Sequence, residues 1–153
     1  MKRICIVLVG ILLATVATSA LAGASSASQT ARTALFHTVE LRKTKIGKIL
    51  VNAAGSILYE FTKDHGDKDS CVQISGCSEA WPAMPVAGKP SAGPGVRGSL
   101  LSTIKLSSGV VQVTYAGHPL YLFASAPTAT SYVGTKEFGG SWYALNAKGQ
   151  AVK

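Results

Sequence analysis

The densest polar stretch of the chain is Asp64-His65-Gly66-Asp67-Lys68-Asp69, three carboxylates within six residues. Carboxylate oxygens at that density are what a hard cation such as calcium takes. The spacing is not that of an EF-hand loop, no bidentate Glu follows at the required offset, and Lys63 and Lys68 offset the charge. The stretch therefore reads as a solvated loop. His37, His65 and His118 share no metal-ligand spacing; with Met84 they could serve copper or haem as soft or axial ligands. Neither a Cys-x-x-Cys-His stretch nor a Met/His cluster is present to support that. Glu60 with Asp64 or Asp67 could form a hydrolytic carboxylate pair. Glu60 alternates with Tyr59 and Phe61, however, and a period of two turns it to the opposite face, toward solvent. Serines are plentiful, but none stands in a Gly-x-Ser-x-Gly elbow. These residues assemble no catalytic centre and imply no cofactor and no metal, and the protein is expected not to be an enzyme.

The elements that would position these groups come from a sequence that says one thing twice. Residues 54–61 read Ala-Gly-Ser-Ile-Leu-Tyr-Glu-Phe, and residues 116–123 read Ala-Gly-His-Pro-Leu-Tyr-Leu-Phe. Gly55 and Gly117, Leu58 and Leu120, Tyr59 and Tyr121, and Phe61 and Phe123 share one offset; Trp81 and Trp142 follow at nearly the same distance. Such a repeat is one supersecondary unit used twice, each copy burying the apolar face the other cannot cover alone. The aromatics Tyr59, Tyr121, Trp81, Trp142 and Tyr143 then read as core packing, large area with one bonded polar atom each. The alternative is an aromatic groove between the copies for a peptide or glycan.

Period-two patterning predicts a strand from Leu35 with His37, Val39 and Leu41 on one face, a second over 48–52, and a hairpin turn at 53–56 returning as 57–61. Ser78 is placed as the cap of one helical turn ending at Pro82. The second copy repeats the plan: strands at 100–106, 110–115 and 119–124, a long Ser/Thr/Gly loop, then 139–145 and a turn before a short tail. No stretch keeps helical periodicity over ten residues. The expectation is an all-β fold, a small antiparallel domain of two pseudo-symmetric halves with short turns and one disulfide loop. Residues 35–150 would form that single domain, with repeats at about 46–85 and 100–149.

The chain of 153 residues opens with Lys2 and Arg3, an apolar run from Ile4 to Ala17, and Ala20-Leu21-Ala22. That is the pattern of a secretory signal peptide over 1–22 rather than a membrane anchor, given its small and hydroxyl residues. Ala/Ser/Thr-rich residues 23–34 read as a flexible leader. Leu21-Ala22-Gly23 is followed by Ala24, not Cys, so the lipid-bearing nucleophile of a lipobox is missing and no stable membrane anchor is expected. Of three cysteines, Cys5 leaves with the signal; Cys71 and Cys77 remain, in an oxidising compartment where near thiols pair. Their Cys-x5-Cys spacing is that of a staple rather than a redox pair. Removing Lys2 and Arg3 takes the 15 Lys and Arg to 13 against 7 Asp and Glu, a net of +6. A basic secreted protein adheres to anionic polymers, but the cluster Arg42, Lys43, Lys45 and Lys48 has no interleaved aromatics. Specific nucleic-acid binding is not expected; lysines protecting a strand edge is the better account.

In these motifs the chain resembles a bacterial secreted-repeat lipoprotein family, catalogued as a secreted repeat of unknown function. The first copy carries Leu50, Val51, Gly55, Leu58, Tyr59, Phe61, Asp64, the Cys pair and Ala80-Trp81-Pro82; the second carries 112–123 and Gly140-Ser141-Trp142-Tyr143. The resemblance spans about residues 46–149. It departs in the missing lipobox Cys, the wider Cys spacing, and Ser125 to Ser131 where an Asp/Gly-rich loop is expected. The resemblance implies a secreted or envelope location and brings no catalytic residues. Taken together, the sequence points to a secreted or periplasmic, non-catalytic binding or structural module whose partner is an unidentified envelope protein or cell-wall polymer. A periplasmic redox or metal-binding accessory is the alternative.

Overall fold

A computed structural model of the protein describes residues 38–153. The expected signal peptide, the leader and His37 lie outside the described residues. The chain forms strands β1 (Thr38–Thr44), β2 (Gly47–Asn52), β3 (Tyr59–Phe61), β4 (Ser91–Ala92), β5 (Leu101–Lys105), β6 (Val111–Tyr115), β7 (His118–Pro119), β8 (Thr135–Glu137), β9 (Gly140–Leu145) and β10 (Ala151–Val152), with one helical turn, α1 (Cys77–Ala80). They make three small sheets, ordered β2-β1-β4, β10-β9-β3 with β8 also on β9, and β5-β6-β7. All pairings are antiparallel apart from the two-residue parallel contact of β1 with β4. The fold is all-β, as its alternating residues require.

The strands are short and β-branched, and the central ones are buried on both faces. On β2, Ile49 and Val51 enter one apolar cluster while Leu50, between them, enters another. The first cluster holds the repeat's aromatics, Tyr59, Phe61, Trp81, Tyr121, Phe123 and Trp142, together with Cys71 and Cys77. The second holds Val39, Leu50, Leu58, Met84, Val113, Tyr115, Leu120 and Leu145. Val39 and Leu41 share that second cluster, as period two predicts.

The two copies meet at their equivalent tyrosines. The Tyr59 N–H donates to the Tyr121 carbonyl at 3.0 Å, and the Tyr121 N–H returns the bond at 2.9 Å. On its other side Tyr59 faces Ala144 of β9, and Tyr121 faces Ala83. Rings follow the same exchange: Phe61 stacks on Trp142 at 4.1 Å, Trp142 on Trp81 at 4.2 Å, and Trp81 on Phe123 at 4.5 Å. Tyr59 and Tyr121 set their edges on Trp81 and Trp142. Neither tryptophan has any exposed surface, so these rings line no ligand groove. The stack also explains Gly140, where a methyl group would meet the Phe61 ring at 2.5 Å.

Several elements differ from the sequence expectation. Regular pairing in the second copy stops at Pro119 rather than running to Ala124. Residues 121–124 lie along 80–83 instead, with Leu122 N–H on the Pro82 carbonyl and Ala124 N–H on the Ala80 carbonyl. Pro82 and Pro85 carry no N–H, so no continuous ladder can form there. Ser78 sits inside α1 rather than capping it; Gly76, with φ +76°, occupies the cap and no side chain serves the helix end. The tail after Gly149 forms β10 against β9, and the Ser/Thr/Gly loop contains β8. The 42–48 cations lie on the β1–β2 hairpin, where Arg42 donates to the Gly55 carbonyl at 3.3 Å.

Candidate functional site

The polar residues with chemical potential gather around β3 and the start of the second copy's repeat. The turn at Ala116-Gly117 takes positive φ at both positions, 52° and 83°, the two-residue hairpin geometry that follows strand twist. It delivers His118 to the edge of β3. Because Tyr59 faces Tyr121, Glu60 stands diagonal to His118 on one face, within reach of long side chains.

Glu60 is the main correction to the sequence reading. It does not face solvent: it is 7% exposed, and its carboxylate accepts a hydrogen bond from His118 Nδ1 at 2.8 Å. Alternation places a side chain on a face correctly, yet all three residues of β3 are buried, so both of its faces are covered. The hydrogen bond to Glu60 lifts the His118 imidazole above its ordinary value against the opposing effect of burial, and the charges of Glu60 and Asp64 add to the rise. The His118 side chain keeps 41% of its surface exposed.

The acidic loop is not uniformly solvated either. His65, Asp67 and Lys68 are exposed, but Asp64 and Asp69 turn inward. Asp64 Oδ2 accepts the Tyr121 hydroxyl at 2.8 Å and its Oδ1 accepts the Ser70 N–H at 2.8 Å. Asp69, 8% exposed, accepts the Val72 N–H through Oδ1 and leaves Oδ2 buried without a hydrogen-bond partner among the described residues. Burial pushes the Asp64 carboxyl up to about 6, against the bonds from Ser70 and Tyr121 that favour its charged form; the charge of Asp69 adds to the rise. Burial, then the charge of Asp64, raises the Tyr121 phenol. The Tyr59 hydroxyl donates to the Ala129 carbonyl at 3.2 Å. Burial, with a smaller effect from Tyr132, pushes that phenol up to about 12. Ala126 occupies the position that matches Asp64 in the second copy. Each tyrosine hydroxyl is therefore tied into the loop of the other copy, one through a side chain and one through backbone.

These contacts predict a pH profile. A carboxyl raised from 3.8 to about 6 by folding favours the folded state when protonated; that contribution is complete below about pH 4 and is lost as pH rises through 6. The raised His118 acts in the same sense at higher pH, its contribution present below the ordinary 6.5 and lost above its folded value. The thermal midpoint should fall from pH 4 to pH 6, and Asp64→Asn should flatten that part of the curve. An unchanged slope in the variant would show that Asp64 does not set it.

Chemically, the group offers a half-exposed imidazole oriented by a buried carboxylate. Among the described residues no three His, Cys, Asp or Glu side chains come together to hold a metal ion. Met84 is buried in the second apolar cluster. Cys71 and Cys77 are joined as a disulfide, both buried beside the aromatic stack. The Glu60–His118 and Asp64–Tyr121 contacts escaped the sequence reading, although the shared offset of Tyr59 and Tyr121 was a signal for them: pairing the copies at that residue brings 60 beside 118.

The second copy decides the comparison with known proteins. Residues 102–146 match a family described as a secreted repeat of unknown function. The match runs from β5 to the residue after β9 and takes in Gly117, Leu120, Tyr121, Phe123 and Trp142. Of these residues Leu120, Tyr121, Phe123 and Trp142 are buried, and Gly117 stands in the hairpin turn. No curated protein and no solved structure matches the chain. No helix of the described residues is long and apolar enough to cross a membrane.

Proposed function

We propose that the protein is exported through its N-terminal signal, released to the periplasm or medium, and acts there without catalysis, as a binding or structural module of the envelope. One observation carries this reading: the side chains best suited to chemistry are used to fasten one copy to the other. Glu60 holds His118, Asp64 holds Tyr121, and the tryptophans are stacked out of reach of solvent. What the surface offers a partner is a positive balance and open strand edges. The test is sedimentation of the mature protein with isolated envelopes and cell-wall sacculi from its own host. Retention without turnover of any envelope component is the expected result; a protein that stays wholly in the supernatant would defeat the reading.

A second reading, a metal or redox accessory, is favoured by one contact. An imidazole held by a carboxylate through Nδ1 is the usual arrangement behind a metal-binding Nε2, and His118 has it. Native mass spectra of the protein purified gently from its host would distinguish the two. Mass lost on denaturation, and lost again in His118→Ala, would favour the accessory.

A further inference from the structure

Strand β5 ends its sheet. Its ladder with β6 is fixed by the Leu106 N–H on the Val110 carbonyl and the Ala116 N–H on the Leu100 carbonyl. In an antiparallel pair bonded residues alternate, so Ser102 and Ile104 are bonded to β6. The N–H and C=O groups of Thr103 and Lys105 and the C=O of Leu101 then point outward, the Leu101 N–H being taken by the Gly98 carbonyl, and among the described residues β5 has no second neighbour in its sheet. The usual protections of such an edge are few here: no proline, no bulge and one lysine over five residues. Beside it runs a groove of about 460 Å³ whose lining includes Lys89, Pro90, Leu101, Thr103 and Val111.

Charge distinguishes this edge from the rest of the molecule. Between Glu79 and Glu137 the chain has no carboxylate, while Lys89, Arg97, Lys105 and Lys136 fall in that span. Lys89 lines the groove, Lys105 ends β5, and Arg97 lies just before it, its N–H bonded to the Tyr115 hydroxyl. On β1, the strand that β4 joins, Glu40 is the one acid. Two copies paired through β5 would bring the cations of this span to one seam with no carboxylate of the span to offset them. A carboxylate-bearing strand meets complementary charge, and its main chain meets outward donors and acceptors at Thr103 and, two residues on, at Lys105. An anionic polysaccharide or polyphosphate would satisfy the charges but not that alternation.

We infer that β5 and the Lys89 groove accept an extended acidic segment of a partner protein as an added antiparallel or parallel strand. The inference rests on the binding reading above and names the partner's chemistry. The test uses the mature protein and fluorescein-labelled eight-residue peptides, one alternating Asp with Val and one alternating Lys with Val, followed by anisotropy at low salt. The acidic peptide should bind at least about tenfold more tightly than the basic one. Thr103→Pro removes an outward N–H that bonds nothing in β6, a place where an edge strand tolerates proline. It should weaken the acidic peptide at least about tenfold while the thermal midpoint and far-ultraviolet spectrum stay close to the parent's. Lys105→Glu serves independently of how Thr103→Pro folds, and should weaken the acidic peptide while strengthening the basic one. Equal binding of the two peptides overturns the inference, as does full binding by a folded Thr103→Pro protein, which would mean charge attraction alone. A dimer at micromolar concentration that Thr103→Pro dissolves would also overturn it, in favour of a second copy. If the protein sediments with envelopes and Thr103→Pro sediments equally well, only the strand-addition inference fails. If neither sediments, the binding reading itself fails.

Discussion

Replacing Trp142 by Ala is expected to lower the free energy of unfolding by about 3–5 kcal/mol, the range for truncating a large buried aromatic. The ring is fully buried between Phe61 and Trp81 with the Tyr121 edge against it, so its loss opens a cavity in the stack that joins the copies. Trp81→Ala should cost at least as much. It removes the same packing and also the bond from Trp81 Nε1 to Glu137 Oε2 at 2.9 Å, which ties α1's C-terminal flank to β8. Trp142 Nε1 has no hydrogen-bond partner among the described residues, so Trp142→Phe should recover more of the lost stability than Trp81→Phe does. Urea titrations of the four variants check the order. A Trp142→Ala protein as stable as the parent would mean that the stack is not the centre of the fold.

The second large effect is loss of the Cys71–Cys77 bond. The double variant Cys71→Ala, Cys77→Ala should unfold at lower urea, by about 2 kcal/mol, because closing so small a loop removes only limited entropy from the unfolded chain. Both residues are buried in the aromatic cluster, so alanine also leaves some space unfilled. The comparison is between oxidised parent, reduced parent and the double variant. Equal midpoints for all three would show that the loop is held by Asp69, Ser70 and their backbone bonds alone.

What could be read from residues alone follows a physical boundary. The shared offset of Tyr59 and Tyr121 was legible, because a repeat is a property of sequence, and so was the pairing of Cys71 with Cys77. Strand alternation correctly separated Glu60 from Tyr59 and Phe61. It could not say what covers the other face, since that depends on a neighbour 58 positions away, His118. Asp64 and Asp69 were indistinguishable from Asp67 by composition; bonds from Ser70, Val72 and the distant Tyr121 hydroxyl turn two of the three inward. Strand β4, two residues in a Gly/Pro-rich connection, has too little pattern to be seen before β1 is in place beside it.

The bond between the two tyrosines also bears on the order in which the protein takes shape. Tyr59 is paired with Tyr121 and Ala144, and nothing nearer in the chain completes either side of it. A contact between such distant positions forms late, after a long segment has been closed. A chain made N-terminus first presents its whole first copy with that tyrosine's strand pairing unmatched. The β1–β2 hairpin can close early; the core cannot close until about residue 145 is out. For the interval between, the first copy keeps that pairing open, and a protein cut short before Trp142 would keep it so.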